Sequence, residues 1–232
     1  RRRCFRRRCR GGQVLRAARV DVPADISSAA FFLVAAAICP GSDLILRHVG
    51  MNPTRIGVLH VLRAMGADIT ESNPQLVGGE PVADLHVRGG RLKGITIDPA
   101  WVPLAIDEFP ALFIAAACAE GVTELRGAEE LRVKESDRIQ VMADGLAAVG
   151  LPVTVLPDGM RIEGRGGEAH PFAGGTVEAH GDHRIAMSFT VAALRSRGPI
   201  HIRDTANVAT SFPGFVALAR SVGLDVSVAK GD

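Results

Sequence analysis

Three times in 232 residues the chain repeats one pattern: an aspartate, a run of small and apolar residues, a glycine, then a strand-like stretch ending on arginine. The copies are DISSAAFFLVAAAICPGSDLILR (25–47), DEFPALFIAAACAEGVTELR (107–126) and DHRIAMSFTVAALRSRGPIHIR (182–203). A second motif follows each, in RIGVLHVLRAMGADI (55–69), RIQVMADGLAAVGLPV (138–153) and FPGFVALARSVGLDV (212–226). Its apolar residues recur at helical spacing up to a glycine placed to end the helix, and a strand-like run comes next. The period, read from Asp25 to Asp107 to Asp182, is about 75 to 82 residues.

Each unit thus reads strand, helix, strand, helix, strand, strand. Opening strands are expected at VLRAARVDV (14–22), LKGITID (92–98) and GGTVEAH (174–180). Closing hairpins are expected at TVLPDGMRIEG, turning on Asp158-Gly159, and at NPQLVGGEPVADLHVRGG with a longer loop. The third unit stops at VSVAKGD and lacks a last strand, which leaves a sheet edge for another segment or a partner to cover.

The first helix of each unit is apolar on every side, so it belongs in the interior. Three buried parallel helices surrounded by sheets give an inside-out α/β barrel-like domain of three βαβαββ repeats. The repeats fall at about 11–98, 99–174 and 175–232. Aligned helices would bring their N-termini, with free N–H groups and partial positive charge, to one end of the domain, where anions are favoured. Asp25, Asp107 and Asp182 stand at these starts as candidate N-caps.

Three charged clusters share that end in this reading: Asp107 with Glu108, LRVKESDR (131–138), and HGDHR (180–184). Lys134 and Arg138, four apart on a helix, would share a face and hold two oxygens of a phosphate or carboxylate. Arg184 adds a planar fork. Glu135 beside these cations can move a proton if burial tunes it, and His183 can carry one. The plainer reading of KESDR is a solvated helix start with local ion pairs. HGDH has no third ligand cluster beside it, so no metal is expected. No phosphate-cradling glycine fingerprint or nucleophile elbow is found, so nucleotide hydrolysis and serine hydrolase chemistry find no support.

Charge and cysteine usage set the remaining bounds. Residues 1–10 carry seven arginines and no acid, while the remainder has 20 basic against 25 acidic residues, so an anion site in the body must be local. The arginine stretch reads as a disordered basic tail, or alternatively as a nucleic-acid-binding arm. Cys4, Cys9, Cys39 and Cys118 form no zinc or disulfide framework. No apolar run reaches the roughly 20 residues that span a bilayer, and no signal peptide is visible, so a cytoplasmic location is expected without membrane or nucleic-acid partners.

The segments DISSAAFFLVAAA, MNPTRIGVLHVLRAMGADI, IDEFPALFIAAACAEG, EELRVKESDRI, GDHRIAMSF and ATSFPGF resemble the bacterial EPSP synthase (5-enolpyruvylshikimate-3-phosphate synthase) family from about Gly11 to Asp232. The resemblance implies the C-terminal of two domains, each of three βαβαββ units. It implies transfer of the enolpyruvyl group of phosphoenolpyruvate to the 5-hydroxyl of shikimate 3-phosphate, on the way to chorismate, with no metal or organic cofactor. Glyphosate would compete with phosphoenolpyruvate. By the same resemblance Asp107 is the base at the shikimate hydroxyl and Glu135 the acid toward the methylene carbon. His183 assists, Lys134, Asp182 and Glu130 are substrate-binding residues, and Arg138 and Arg184 hold the phosphoenolpyruvate anion. Some members have Asn in place of Glu130 and Lys in place of Thr210. The family's other domain, with its Lys-Ser pair, its arginine and its Ser-rich segment, has no match here and would have to act in trans. Two rivals remain: a non-catalytic half-domain that binds anions, and a UDP-N-acetylglucosamine enolpyruvyl transferase, whose catalytic loop cysteine is absent.

Overall fold

A computed structural model describes residues 11–14, 16, 17 and 19–229. The expected basic tail, 1–10, lies outside the described residues. In chain order the elements are α1 (Ile26–Ile38), β1 (Asp43–Gly50), α2 (Gly57–Ala64), β2 (Asp68–Val77), β3 (Glu80–Arg88), α3 (Phe109–Ala117) and β4 (Glu120–Leu125). They continue with α4 (Arg138–Ala148), β5 (Thr154–Leu156), β6 (Gly159–Arg165), β7 (Gly175–Glu178), α5 (His183–Ala192), β8 (Ile200–Arg203), α6 (Ala206–Ser211) and α7 (Phe215–Ser221). The fold is α/β. No helix among the described residues is long and apolar enough to cross a membrane.

The all-apolar runs are the core. Every residue of α1 except Ser28 is buried, as is all of α3, and α5 leaves only His183, Arg184 and Thr190 outside the buried set. These helices touch one another pairwise. Each Phe, Leu, Ile or Val fully buried there contributes about 1.5–3 kcal/mol relative to exposure. The outer helices bury one stripe only. In α4 it is Arg138, Ile139, Met142, Ala143, Gly145 and Leu146, at helical spacing. At Gly145 α4 packs directly on α5, since a Cβ there would stand 2.4 Å from the Phe189 ring.

Hydrogen bonds at both ends fix the direction of the buried helices. At one end Ser27 in the first turn of α1 donates to Glu108, just before α3, and Arg184 in the first turn of α5 donates to the Asp107 carbonyl at 2.9 Å. At the other end Arg195, just beyond α5, donates to the carbonyl of Ile38, the last residue of α1, and to those of Glu168 (2.8 Å) and Ala169 (3.1 Å). A cation among the terminal carbonyls of a helix satisfies both their lone pairs and the dipole. The three helices therefore run the same way.

The strands form three sheets, ordered β1-β3-β2, β4-β6-β5 and β7-β8, the first two antiparallel and the third parallel. Several sequence expectations are corrected here. Residues 14–22 form no strand among the described residues, and only Ala24 bridges to Val49. Val14, Val20 and Val22 stand exposed, so the alternation in that stretch has no surface to bury against. Residues 92–98 likewise reduce to bridges at Lys93 and Thr96, and only β7 is an opening strand. The β5–β6 hairpin turns on Pro157-Asp158, because Gly159 already pairs with Leu156. Asp158 holds that turn by accepting from the Gly127 N–H at 2.8 Å. The β2–β3 loop is shorter than expected: Val77 pairs with Glu80 across Gly78 (φ 59°) and Gly79 (φ 90°), the left-handed pair a tight hairpin demands. The third sheet ends at β8, and residues 224–229 carry no strand among the described residues.

Candidate functional site

The charged residues singled out in the sequence meet at the N-terminal end of α1, α3 and α5. Asp25 caps α1, accepting from the N–H groups of Ser27 (3.3 Å) and Ser28 (2.9 Å). Asp182 caps α5, accepting from Arg184 N–H at 2.9 Å. Asp107 does not cap α3. It lies in a 3-10 turn, Ile106–Glu108, one turn before the helix, and the N-cap position falls to Glu108, whose side chain makes no cap bond. Displaced from the capping role, the Asp107 carboxylate is left for other partners.

Those partners come from the segment ahead of α4. Lys134 and Arg138 are not on one helix, which corrects the sequence reading. The chain is extended at Lys134 (ψ −154°), and α4 begins only at Arg138, capped by Asp137 through Gln140 N–H at 3.1 Å. The break still aims both cations at one carboxylate: Lys134 Nζ is 3.4 Å and Arg138 Nη1 3.1 Å from Asp107 Oδ1. Lys134 also donates to Glu130 at 2.6 Å. That hydrogen bond, above all, raises the ammonium's pKa.

Arg138 is the centre of the cluster. Its side chain is 1% exposed and its N–H groups go to three carboxylates: Asp182 at 2.8 Å from Nε, Asp107 at 3.1 Å from Nη1, and Glu135 at 2.5 Å from Nη2. Asp182 is wholly buried, with a further bond from Ser136 Oγ at 3.0 Å. Burial alone would raise its carboxyl, yet the hydrogen bond and charge of Arg138 hold it below the usual range. Asp107 behaves alike: desolvation pushes up, and the charges of Arg184, Lys134 and Arg138 outweigh it, so the group is an ionised acceptor. His183 goes the other way, since burial and then the Arg184 charge lower its pKa and keep it neutral.

Glu130, Lys134, Glu135, Arg138, Asp107, Asp182, His183 and Arg184 thus lie in one neighbourhood. Sequence reasoning missed Ser27, Arg55, Ser136 and the burial of Glu108. Glu108 is 3% exposed, accepts from Ser27 Oγ and sits 3.8 Å from Arg184 Nη1, while Arg55 donates to that same Oγ at 2.7 Å. No local pattern marks Arg55, 28 residues from its partner. A small cleft of about 90 Å³ opens beside Arg184, lined also by Asp25, Ser28, His183 and Ser211.

Three helix N-termini gathered around fixed cations and two exchangeable carboxylates form a domain suited to anionic, proton-transferring chemistry. The same fold is found in the enolpyruvyl transferase NikO from Streptomyces tendae, with a TM-score of 0.66 at 20% identity over 91% of this chain and 45% of that one. The EPSP synthase (3-phosphoshikimate 1-carboxyvinyltransferase) family profile matches residues 6–218, and the chain belongs to that family. A 3-phosphoshikimate 1-carboxyvinyltransferase of Methylococcus capsulatus is 66% identical over 217 residues, covering 94% of this chain and 48% of the relative. The EPSP synthase of Acinetobacter baumannii superposes with a TM-score of 0.91 at 58% identity, covering 94% of this chain and 50% of that one. The chain spans about half the length of the curated relatives it matches.

Proposed function

We propose that this chain carries one half of an enolpyruvyl transfer site, joining phosphoenolpyruvate to the 5-hydroxyl of shikimate 3-phosphate with release of phosphate. The domain is read as three βαβαββ repeats arranged inside out around α1, α3 and α5. The remaining half of the site is supplied by a further domain, in the same protein or in trans. The observation that carries the reading is that Asp107 and Glu135, the expected base and acid, are bound to the same guanidinium, Arg138.

The geometry suits that chemistry. Asp107, ionised and partly exposed, accepts the proton of the attacking hydroxyl, whose oxygen bonds to C2 of phosphoenolpyruvate. Glu135, once released from Arg138, takes up a proton from solvent and delivers it to C3, giving a tetrahedral adduct. The Glu135 carboxylate then takes back a C3 proton as the C2–O bond to phosphate breaks, which releases phosphate and leaves the enol ether. Arg184 and Lys134, with Glu130 at the rim, meet the substrate anions directly. Arg138 reaches the phosphoenolpyruvate anion only by surrendering a carboxylate, and half-exposed Glu135 is the cheaper to release. An anion that draws these cations away also removes what depresses the Asp107 carboxyl, so substrate binding strengthens the base. His183, neutral beside them, donates or accepts a hydrogen bond, and Asp182 holds Arg138 in place. Glyphosate would compete for the phosphoenolpyruvate side.

The test follows phosphate release from both substrates with the chain alone and with the missing half added. Turnover with both halves, falling at least about 100-fold in Asp107→Asn, is expected. Turnover in both halves that survives Asp107→Asn sinks the assignment of the base. Anion-induced shifts at Lys134 and Arg184 with no turnover under any condition support the second reading, a binding half without catalysis.

A further inference from the structure

We propose that Glu108 is a positioning residue whose carboxyl governs how Arg184 is presented to an incoming anion and takes up a proton when that anion binds. The inference rests on the anion site of the proposed function and adds a proton to it.

The arrangement around Glu108 is built. It lies where the three buried helices converge, and the mechanism above gives it nothing to do. From α1, Ser27 accepts from Arg55 at 2.7 Å and so has its own proton free to give to Glu108. From α5, Arg184 places Nη1 3.8 Å from Glu108 Oε1 and 2.9 Å from the Asp107 carbonyl, and its side chain, 15% exposed, lines the neighbouring cleft. Glu108 is therefore the buried counter-charge of the cation that faces the cleft. An anion arriving at Arg184 takes over that counter-charge and leaves a carboxylate buried beside a second negative group. Such a group is strongly disfavoured in its charged form. A proton from solvent on Glu108 removes the conflict and keeps the Ser27 hydrogen bond. Burial already pushes this carboxyl above its ordinary range, with the Ser27 bond and the Arg184 charge opposing.

Other charged groups face the same point and must be separated from it. Asp107 shares the turn, Asp25 and Arg55 lie on the α1 side, His183 precedes Arg184 on α5, and Lys134, Glu135 and Arg138 stand across Asp107.

Sulfate is the probe, because its charge is constant between pH 5 and 8. Its binding to the full chain is read at the backbone amides of Asp107 and Arg184, so that anions on residues 1–10 do not count. At constant ionic strength the affinity should fall about three- to tenfold from pH 5 to 8, tenfold being one unit of difference in the Glu108 pKa between free and bound chain. Calorimetry in buffers of different ionisation heat should register the proton. Glu108→Gln should bind at every pH as tightly as the unaltered chain does at pH 5. A slope that persists in Glu108→Gln, or vanishes in His183→Asn instead, overturns the inference. Should Glu108→Gln fail to fold, the side-chain carboxyl carbon shift of Glu108 on adding sulfate decides, and an unchanged shift is fatal. Sulfate binding without proton uptake overturns this inference alone, while no binding at any pH sinks the anion site with it.

Discussion

At the C-terminal end of the buried helices Arg195 gives its N–H groups to backbone carbonyls, whereas at the N-terminal end Arg138 gives its own to carboxylates. Both guanidinium groups are buried and both tie together segments far apart in sequence. Carbonyls neither titrate nor leave, so Arg195 is a fixed staple. Carboxylates can be protonated, exchanged for another anion, or swung into solvent, so the opposite end keeps alternatives open. The same residue type yields rigidity or adjustability according to what accepts from it.

The sharpest attempt to break this contrast is Arg138→Met. It leaves wholly buried Asp182 as an uncompensated charge and should cost about 3–5 kcal/mol in urea unfolding. Arg195→Met strands neutral carbonyls at Ile38, Glu168 and Ala169 and should cost less, about 2 kcal/mol. It should also leave sulfate binding at Arg184 unchanged. If Arg195→Met proves the more damaging, or abolishes that binding, the two ends are not separable.

A smaller effect comes from pH. Glu108 has a raised pKa in the folded chain, so its contribution is fully present below about pH 4.3, the unfolded value, and is lost as pH rises through the folded one. Glu108→Gln should therefore raise the urea midpoint at pH 7 relative to pH 4. Asp107, depressed, contributes above about pH 3.9, and that stability is lost as pH falls through its folded value. Asp107→Asn should flatten the acid limb. Smallest is the thiol test at the C-terminal end. Burial, partly offset by Arg195, pushes Cys118 up to about 12, so a thiol reagent should label half-buried Cys39 before Cys118, without altering anion binding.

How much of this was legible follows from the range of the interactions. The three apolar helices and the caps Asp25 and Asp182 were readable, because an all-round apolar run and an aspartate before it are local signals. The meeting of Asp107, Glu135 and Arg184 was readable only through the repeat, which made distant helix starts equivalent. Lys134 and Arg138 misled, since four-residue spacing mimics a helical turn, although Asp137 directly before Arg138 is itself a local sign that the helix starts after Lys134. The VLRAARVDV strand failed for the opposite reason: its alternation is present, but a strand forms only where a neighbour accepts it. Arg195 and the buried state of Glu108 had no local sign, being decided by groups 26 to 157 and 76 to 81 residues away.

The double membership of Arg138, inside the hydrophobic interior and inside the polar cluster, has an evolutionary corollary. A lineage cannot retune ligand preference at that position without first risking collapse of the domain. Heritable change in ligand preference would be tolerated more readily at places such as Glu130 and Thr210, which stand exposed.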